Sequence, residues 1–577
     1  MSRLSDRKVW WAVVAFITLW GGAYALGSPP LAGGDEIMHV LKGTTVARGE
    51  LIGEQHPMSI EEVPVYGPEI AKFQMHQWVA AGQADCYRGQ IEVLATCLDY
   101  SGDQGPLEDT WYPDNKYQPL YYAVVGIPSR LVDLGGPASY VMRMVSVVLS
   151  AMMLASALLS VRRYRGARVA ALGLLAAMTP TVIATAAQVT PNNLEITSAL
   201  ACWATVLLIA FDARAGQLPT RRVVVRLAVT ASTLAVMRPA SPAMLAIILV
   251  SAVVVAGWRP ALTLLRHRPV QVAAVAVISA VAFTAWWYVT KKPILVGASV
   301  PPSVDKWDSL QYAIGKNGDQ YAIMVGAFGT PDYNAPGFMQ VAWAILLGFL
   351  ACLAALFGRM KLLAWTAVLI AMTLAIQIGF DVALRHSIGP NWSAKYSLPL
   401  TVGIPLLLAF AAGERGGLER IHLRRLRAGF AIIVPAVQIA ALWQFMRRYA
   451  VGYSGRIWFW TEPGWTSPVS GLVLLVLGII GIIATIAVIL GVTGDDGAVP
   501  SADEGALGET GSEDAAEAGG DEDRHHLRGG HEGPTDEVEV PDLLSPLATT
   551  ETASAGTPGS AGSAGPGPAG AASAVTR

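Results

Sequence analysis

The residues with the clearest chemical potential stand just past the first apolar stretch, in PPLAGGDEIMHVLKGTTVARGEL at 29–51. Asp35 and Glu36 come first, then His39, with Lys42 behind. If a helix begins near Asp35, His39 lies at i+4 and faces the same way. A carboxylate with an imidazole one turn along can abstract a proton or hold a divalent cation. An Asp at that place can equally cap the helix by satisfying free backbone N–H groups. Adjacent helical residues point about 100° apart, so Asp35 and Glu36 are not expected to share one pocket. Asp35 shares its face with His39, and Glu36 with the apolar Val40. Asp35 is therefore expected to be the essential acid, with Glu36 and His39 as the other candidate catalytic residues. No Gly-rich phosphate loop, HExxH or paired CxxC accompanies them.

The surrounding chain is a membrane protein by composition. Of its 577 residues, 53% are hydrophobic and 15% charged, against roughly 25% charged in soluble chains. A soluble multidomain enzyme is excluded, and no nucleic-acid partner is expected. The apolar residues gather into runs such as GLVLLVLGIIGIIATIAVILG at 471–491, long enough to cross a ~30 Å hydrocarbon core. The first, Val9–Leu26, is read as a retained helix (1–27), because Gly27-Ser28-Pro29-Pro30 makes a poor signal-peptide cleavage site. Further runs fall at about 138–160, 168–187, 192–211, 222–237, 241–257, 270–290, 338–357, 361–380, 396–412, 428–446 and 469–491. The expected fold is an all-α polytopic membrane protein with about 12–13 transmembrane segments counting the first helix, the multi-helix body running over 117–491; YQPLYYAVVGIPSRLVDL at 117–134 decides the count. That segment is read as re-entrant or half-membrane. With twelve crossings, the basic clusters at 162–168, 214–226, 259–268, 359–361 and 415–427 all fall on the cytoplasmic side. The N-terminus and the tail then lie in the cytoplasm of a multi-pass cell-membrane protein.

Charge divides the rest. The loop 28–116 holds 14 acidic and 5 basic residues and belongs outside. It carries Cys86 and Cys97, for which a disulfide is permitted outside the cytoplasmic membrane. A possible amphipathic helix runs near Trp307–Met324, and an aromatic loop at 447–468 reads first as an interfacial belt. From 493 the chain has 17 acids and three arginines; the segment 492–577, acidic and then Gly/Ala/Ser/Pro-rich, is expected to be disordered. Arg238, Arg385 and Lys395 fall near outward helix ends. Ionisable residues at membrane depth are costly and hence functional candidates.

Placement of an acid just after the first spanning helix, in a large outer loop, resembles the GT-C superfamily of membrane glycosyltransferases. Within that class the sequence is similar to the family called domain of unknown function 2142. The matching elements are GGDEIMHVLKGTTVARGEL, YQPLYYAVVGIPSRL, YVMRMVSVVLS, QVTPNNLEITSAL, MRPASP, VGAFGTPDYNAP, NWSAKYSLPL and RRYAVGYSG…PGWTSP, in order over about 30–470. The resemblance implies transfer of a sugar from a polyprenyl-phosphate donor on the outer face. It places the family's DE element on Asp35 and Glu36 and its histidine on His39. It offers Asn192 and Glu195, in TPNNLE, as the polar groups of a second outer loop. The family's Gly-Arg-Tyr before Leu-Pro appears here as Ala394-Lys395-Tyr396. Lysine keeps the charge and loses the bidentate geometry, which weakens the expected phosphate contact.

The reading is thus an integral membrane glycosyltransferase acting on a lipid-linked sugar, with a cell-envelope glycan, glycolipid or protein as acceptor and membrane lipids as surroundings. The metal requirement stays open, a divalent cation included. A transporter or flippase for lipid-linked sugars is the rival, and a non-catalytic scaffold of envelope assembly is the third reading. Against transport, the acids concentrate in outer loops and no inverted repeat is visible.

Overall fold

The computed structural model describes residues 4–494 except 53, 58–68, 77–85, 88, 98–106, 113–116, 133–135, 292–304, 329–332, 389–391 and 417–419. The expected disorder of 492–577 falls almost wholly outside those residues.

Helix α1 (Asp6–Leu26) starts where Ser5 accepts a hydrogen bond from the backbone N–H of Lys8. At 21 residues it is about 32 Å long, enough to span. Helix α2 (Glu36–Ala47) follows with Asp35 at its N-cap. The loop 48–116 then forms a three-stranded antiparallel sheet, β1 (Glu54–Pro57), β2 (Glu69–His76) and β3 (Leu107–Tyr112). Its register pairs Gln55 with Ala71 and Phe73 with Thr110, structure that the sequence reading had not assigned to this loop. Cys86 and Cys97 are joined as a disulfide with Cα atoms 6.3 Å apart.

Helix α3 (Pro119–Gly126), extended by one 3-10 turn (Ile127–Arg130), is too short to cross. It packs on α2, where a side chain on Gly126 would collide with the Gly43 carbonyl. The body continues with α4 (Gly136–Arg163), α5 (Ala167–Ala177), α6 (Pro180–Ala186), α7 (Pro191–Arg214), α8 (Arg221–Ala235), α9 (Ser241–Ala256), α10 (Trp258–Arg266) and α11 (Arg268–Lys291). The expected amphipathic helix near 307–324 is two helices, α12 (Lys306–Gly315) and α13 (Asn317–Gly326). They are followed by the short pair β4 (Ala327–Phe328) and β5 (Tyr333–Asn334). Then come α14 (Gly337–Phe357), α15 (Met360–Ile388), α16 (Leu398–Thr401), α17 (Gly403–Gly413), α18 (Arg420–Val451) and α19 (Gly471–Val492).

This is an all-α polytopic membrane fold. Every apolar segment read from the sequence falls on a helix, yet among the described residues only eight helices are long and apolar enough to cross, or ten if each bent pair is one span. Proline and glycine explain much of the difference from twelve. Pro180 opens α6 after a 67° bend from α5, and Gly257, at φ +88°, precedes a 114° bend between α9 and α10. Helix α8 has only 15 residues and starts on two arginines. The segment around Pro399 and Pro405 is split between α16 and α17.

The core is built around α7, whose spanning window is wholly buried. Thr190 caps it and Pro191 occupies its first turn, where a missing N–H costs nothing. Ser160 of α4 meets Thr205 of α7 at 2.9 Å. Asp6, at the start of α1, pairs with Arg162 and Arg163 at the end of α4 (3.1 and 2.9 Å). The carbonyl of Ala25, at the other end of α1, accepts from Arg143 near the start of α4. The two helices are therefore antiparallel, and the bundle has an arginine-rich end and an opposite end bearing Asp35.

Candidate active site

The connection from α1 to α2 turns through Leu31, which sits at φ +60°, and two glycines before Asp35. Although Asp35 is the N-cap residue, its side chain makes no capping hydrogen bond. The carboxylate accepts instead from Lys395 Nζ at 3.2 Å, across 360 residues of sequence, and its side chain is 38% exposed. Lys395 holds the Asp35 pKa down to about 2, against the opposing effect of burial, and His39 and Arg238 lower it further. Burial works against the Lys395 ammonium, yet Asp35 and Tyr396 keep its pKa above the ordinary value.

His39 lies one turn along the same face, as the helical spacing requires, and is buried. Its Nδ1 stands 2.8 Å from the Tyr122 hydroxyl, and Tyr117 and Tyr122 flank the ring. Burial, opposed by Asp35 and helped by Lys395 and Arg238, pushes its pKa down to about 4. At neutral pH His39 is an uncharged imidazole.

Arg238, in the turn between α8 and α9, lies 4.2 Å over the Tyr396 ring. Its Nη1 donates to Asn192 Oδ1 at 2.5 Å and lies 3.9 Å from Glu195. Ser241 donates to the other Glu195 oxygen at 2.7 Å. The structure thus gathers Asp35, His39, Asn192, Glu195, Arg238, Lys395 and Tyr396 from four separate stretches of chain. Arg385 is not in this group: it stacks 4.1 Å over Tyr312 and donates to the Asp308 carbonyl. A position near an outward helix end is therefore not enough, because α15 turns that side chain toward α12.

Glu36 has a different environment from its neighbour. It is 1% exposed and accepts from Arg143 Nε and Nη2 at 2.7 and 2.5 Å, from the Val189 N–H and from the Gly33 N–H, both at 3.0 Å. Burial alone would raise its pKa, but Arg143 and these donors lower it. Arg143 in turn donates to Ala25, Ser28 and Pro29. The pair ties α1, α2, α4 and the turn before α7 together, and every Glu36 oxygen is engaged. Glu36, a candidate catalytic residue by sequence, lies here in a buried ion pair with Arg143. Arg143 was missed as a site residue, although an arginine within an apolar spanning run was a usable signal. Tyr117, Tyr122 and Ser241 carried no comparable mark.

Among the described residues, no group of three or more His, Cys, Asp and Glu could hold a metal ion. What the cleft can do follows from its charges. A half-exposed carboxylate can accept a proton, and two cations beside it can receive an anion.

Fold and site together define a polytopic membrane protein with a cluster of charged side chains at one end of its bundle. The chain belongs to the family described as predicted membrane protein (DUF2142), which matches residues 18–392. The match takes in Asp35 to Arg385 and stops three residues before Lys395, so it is shorter than the 30–470 expected from sequence elements. No curated protein matches the chain. Two solved structures resemble it. One is ArnT from Cupriavidus metallidurans bound to undecaprenyl phosphate, at 14% identity and TM-score 0.38, covering 84% of this chain and 77% of that one. The other is apo ArnT from the same organism, at 15% identity and TM-score 0.37, covering 85% and 78%.

Proposed function

We propose that this chain is a membrane glycosyltransferase that moves a sugar from a polyprenyl-phosphate donor to a hydroxyl of a cell-envelope acceptor. The observation that carries the reading is the Asp35–Lys395 pair, only partly covered, with Arg238 beside it. In the reaction the acceptor oxygen forms a bond to the anomeric carbon, and its proton passes to Asp35. The bond from that carbon to the phosphate oxygen breaks, and the lipid phosphate leaves with the electron pair. Lys395 and Arg238 are suited to stabilise the charge that develops there. Arrival of that phosphate also competes for Lys395, which lifts the restraint on Asp35 basicity as the proton must be taken. Neutral His39, held by Tyr122, positions the face of α2 on which Asp35 stands.

The arginine-rich end supports a cytoplasmic assignment for that end and an outer assignment for the cleft. Reporter fusions at Gly105 and Ala506 should give opposite sidedness; the same side for both rejects this orientation. For activity, the test is envelope glycan synthesis in a deletion strain complemented with wild type or Asp35→Asn, which keeps size and removes charge. Loss of turnover with normal expression supports a transferase, and full activity of the variant fits a scaffold instead.

A further inference from the structure

Glu414 follows the last turn of α17 at the arginine-rich end, and its side chain is 2% exposed. Two glycines bring that residue against the α4–α5 turn: a Cβ on Gly166 would lie 2.7 Å from the Gly413 carbonyl oxygen. The close approach delivers Arg165 to Glu414. Arg214, the last residue of α7, and Arg359, in the α14–α15 turn, arrive from two other connections. Only Arg359 hydrogen-bonds the carboxylate, its Nε donating at 3.0 and 3.2 Å. Arg165 and Arg214 stop at 3.7 Å, beyond the roughly 2.7–3.2 Å of an N–H···O bond. Arg415 donates from Nη1 to the Gly358 carbonyl and is near enough to Arg214 for their charges to interact. Asp212 is a second acid acting on Arg165. Four arginines thus meet two acids, and the group keeps an excess of positive charge. Among the described residues neither Nη of Arg359 has an acceptor, and the Arg165 side chain is 53% exposed.

The neighbouring surface fixes the depth of this group in the bilayer. Leu356 and Met360 flank Arg359 and are 74% and 70% exposed at the ends of two spanning helices, so lipid lies beside it. Arg214 also donates to the Val255 carbonyl, just before α10. That helix leaves α9 through a 114° bend and buries none of its nine residues. Trp258, Leu262 and Leu265 are exposed and share one face at i, i+4 and i+7. A short helix of this pattern, with Arg259 and Arg266 at its two ends, lies along a membrane surface. The arginines around Glu414 therefore stand at the level of phospholipid phosphates.

We infer that the arginines around Glu414 bind the phosphate of an anionic phospholipid, whose acyl chains run along the exposed apolar ends of α14 and α15. Arginine forks match phosphate geometry, and basic pockets between spanning helices receive lipid head groups. The bound anion also relieves the repulsion among arginines that two acids leave unbalanced. A free phosphate would use the charges and leave the apolar flanks of Arg359 unused, which is why the occupant is a lipid. The site lies at the end of the bundle away from Asp35 and rests on no part of the transferase reading.

The test measures binding of dioleoylphosphatidylglycerol, dioleoylphosphatidylcholine and inorganic phosphate to the purified full-length protein in dodecyl maltoside. The anionic phosphatidylglycerol should bind at least about tenfold more tightly than the zwitterionic phosphatidylcholine. Arg165→Gln should weaken phosphatidylglycerol about three- to tenfold, and Arg165→Gln/Arg359→Gln should abolish the preference. Arg165 makes no hydrogen bond to Glu414, so its single variant carries the test where the double variant fails to fold. Arg221→Gln/Arg222→Gln removes two exposed charges from the start of α8 at the same end, and should leave binding within about twofold. Equal binding of the two lipids overturns the inference. An equal loss in the Arg221→Gln/Arg222→Gln variant overturns it too, by reducing the site to general surface charge. Full displacement of phosphatidylglycerol by millimolar phosphate would make the occupant a free anion and overturn the lipid assignment.

Discussion

Asp35 and Glu36 are adjacent acids, and the structure gives them opposite surroundings. Around Glu36, four donor groups, two of them from the buried Arg143, close a knot that joins three helices. Around Asp35, a single lysine and an open side leave the carboxylate available. A buried pair breaks at high cost because the surviving charge has no water; a half-exposed pair can exchange its partner. What marks the candidate catalytic acid is therefore its unfinished bonding, and what marks the structural one is completeness.

The sharpest way to break this contrast is to neutralise each acid in turn. Asp35→Asn should lower turnover by roughly 10²–10⁴-fold with an unchanged melting temperature. Glu36→Gln should act on folding, costing about 3–5 kcal/mol by leaving Arg143 unpaired. It should be read as a lower melting temperature in detergent, with the surviving folded fraction still active. An Asp35→Asn that unfolds, or a stable and inactive Glu36→Gln, would reverse the two roles.

Lys395→Met sharpens the account of Asp35. With the lysine present Asp35 titrates at about 2, and without it the carboxyl returns toward or above its ordinary 3.8. Since the base must be ionised, the acid limb of turnover should move to higher pH in Lys395→Met while the wild type stays flat down to about pH 4. An unmoved acid limb would mean that Lys395 does not control the carboxylate.

His39 offers a smaller test on stability. Its pKa is depressed from 6.5 to about 4, so the folded state binds its proton more weakly than the unfolded state. The contribution is fully present above about pH 6.5 and is lost as pH falls toward 4. His39→Gln should flatten the melting-temperature profile across that window, and an unaltered slope would place the pH sensitivity elsewhere.

The smallest expected effect is at the disulfide loop between Cys86 and Cys97. Arg448 donates to the carbonyls of Tyr87, Gln90 and Val93, and Glu92 accepts from the Ser454 backbone N–H and hydroxyl. These bonds dock the Cys86–Cys97 loop on the end of α18. Replacing both cysteines by serine should cost about 2–3 kcal/mol, seen as a lower melting temperature with turnover retained. A matching loss of turnover would tie the disulfide loop to the cleft.

The sequence by itself determined the membrane class, the helical segments and the face shared by Asp35 and His39. Those properties are local: apolar run length, proline and glycine breaks, and 3.6-residue spacing are written in consecutive residues. It also placed Arg238, Arg385 and Lys395 among the candidates, because charges at the ends of apolar helices stand out by type, while Asn192 and Glu195 came only through the family resemblance. Only the tertiary structure decided which of them meet. Lys395 reaches Asp35 across 360 positions, while Arg385, ten residues earlier, turns to Tyr312. The same holds for Glu36, whose partners Arg143 and Val189 come from distant segments. Long-range pairing depends on how bent and broken helices pack, and that geometry has no signature in the spacing of neighbours along the chain.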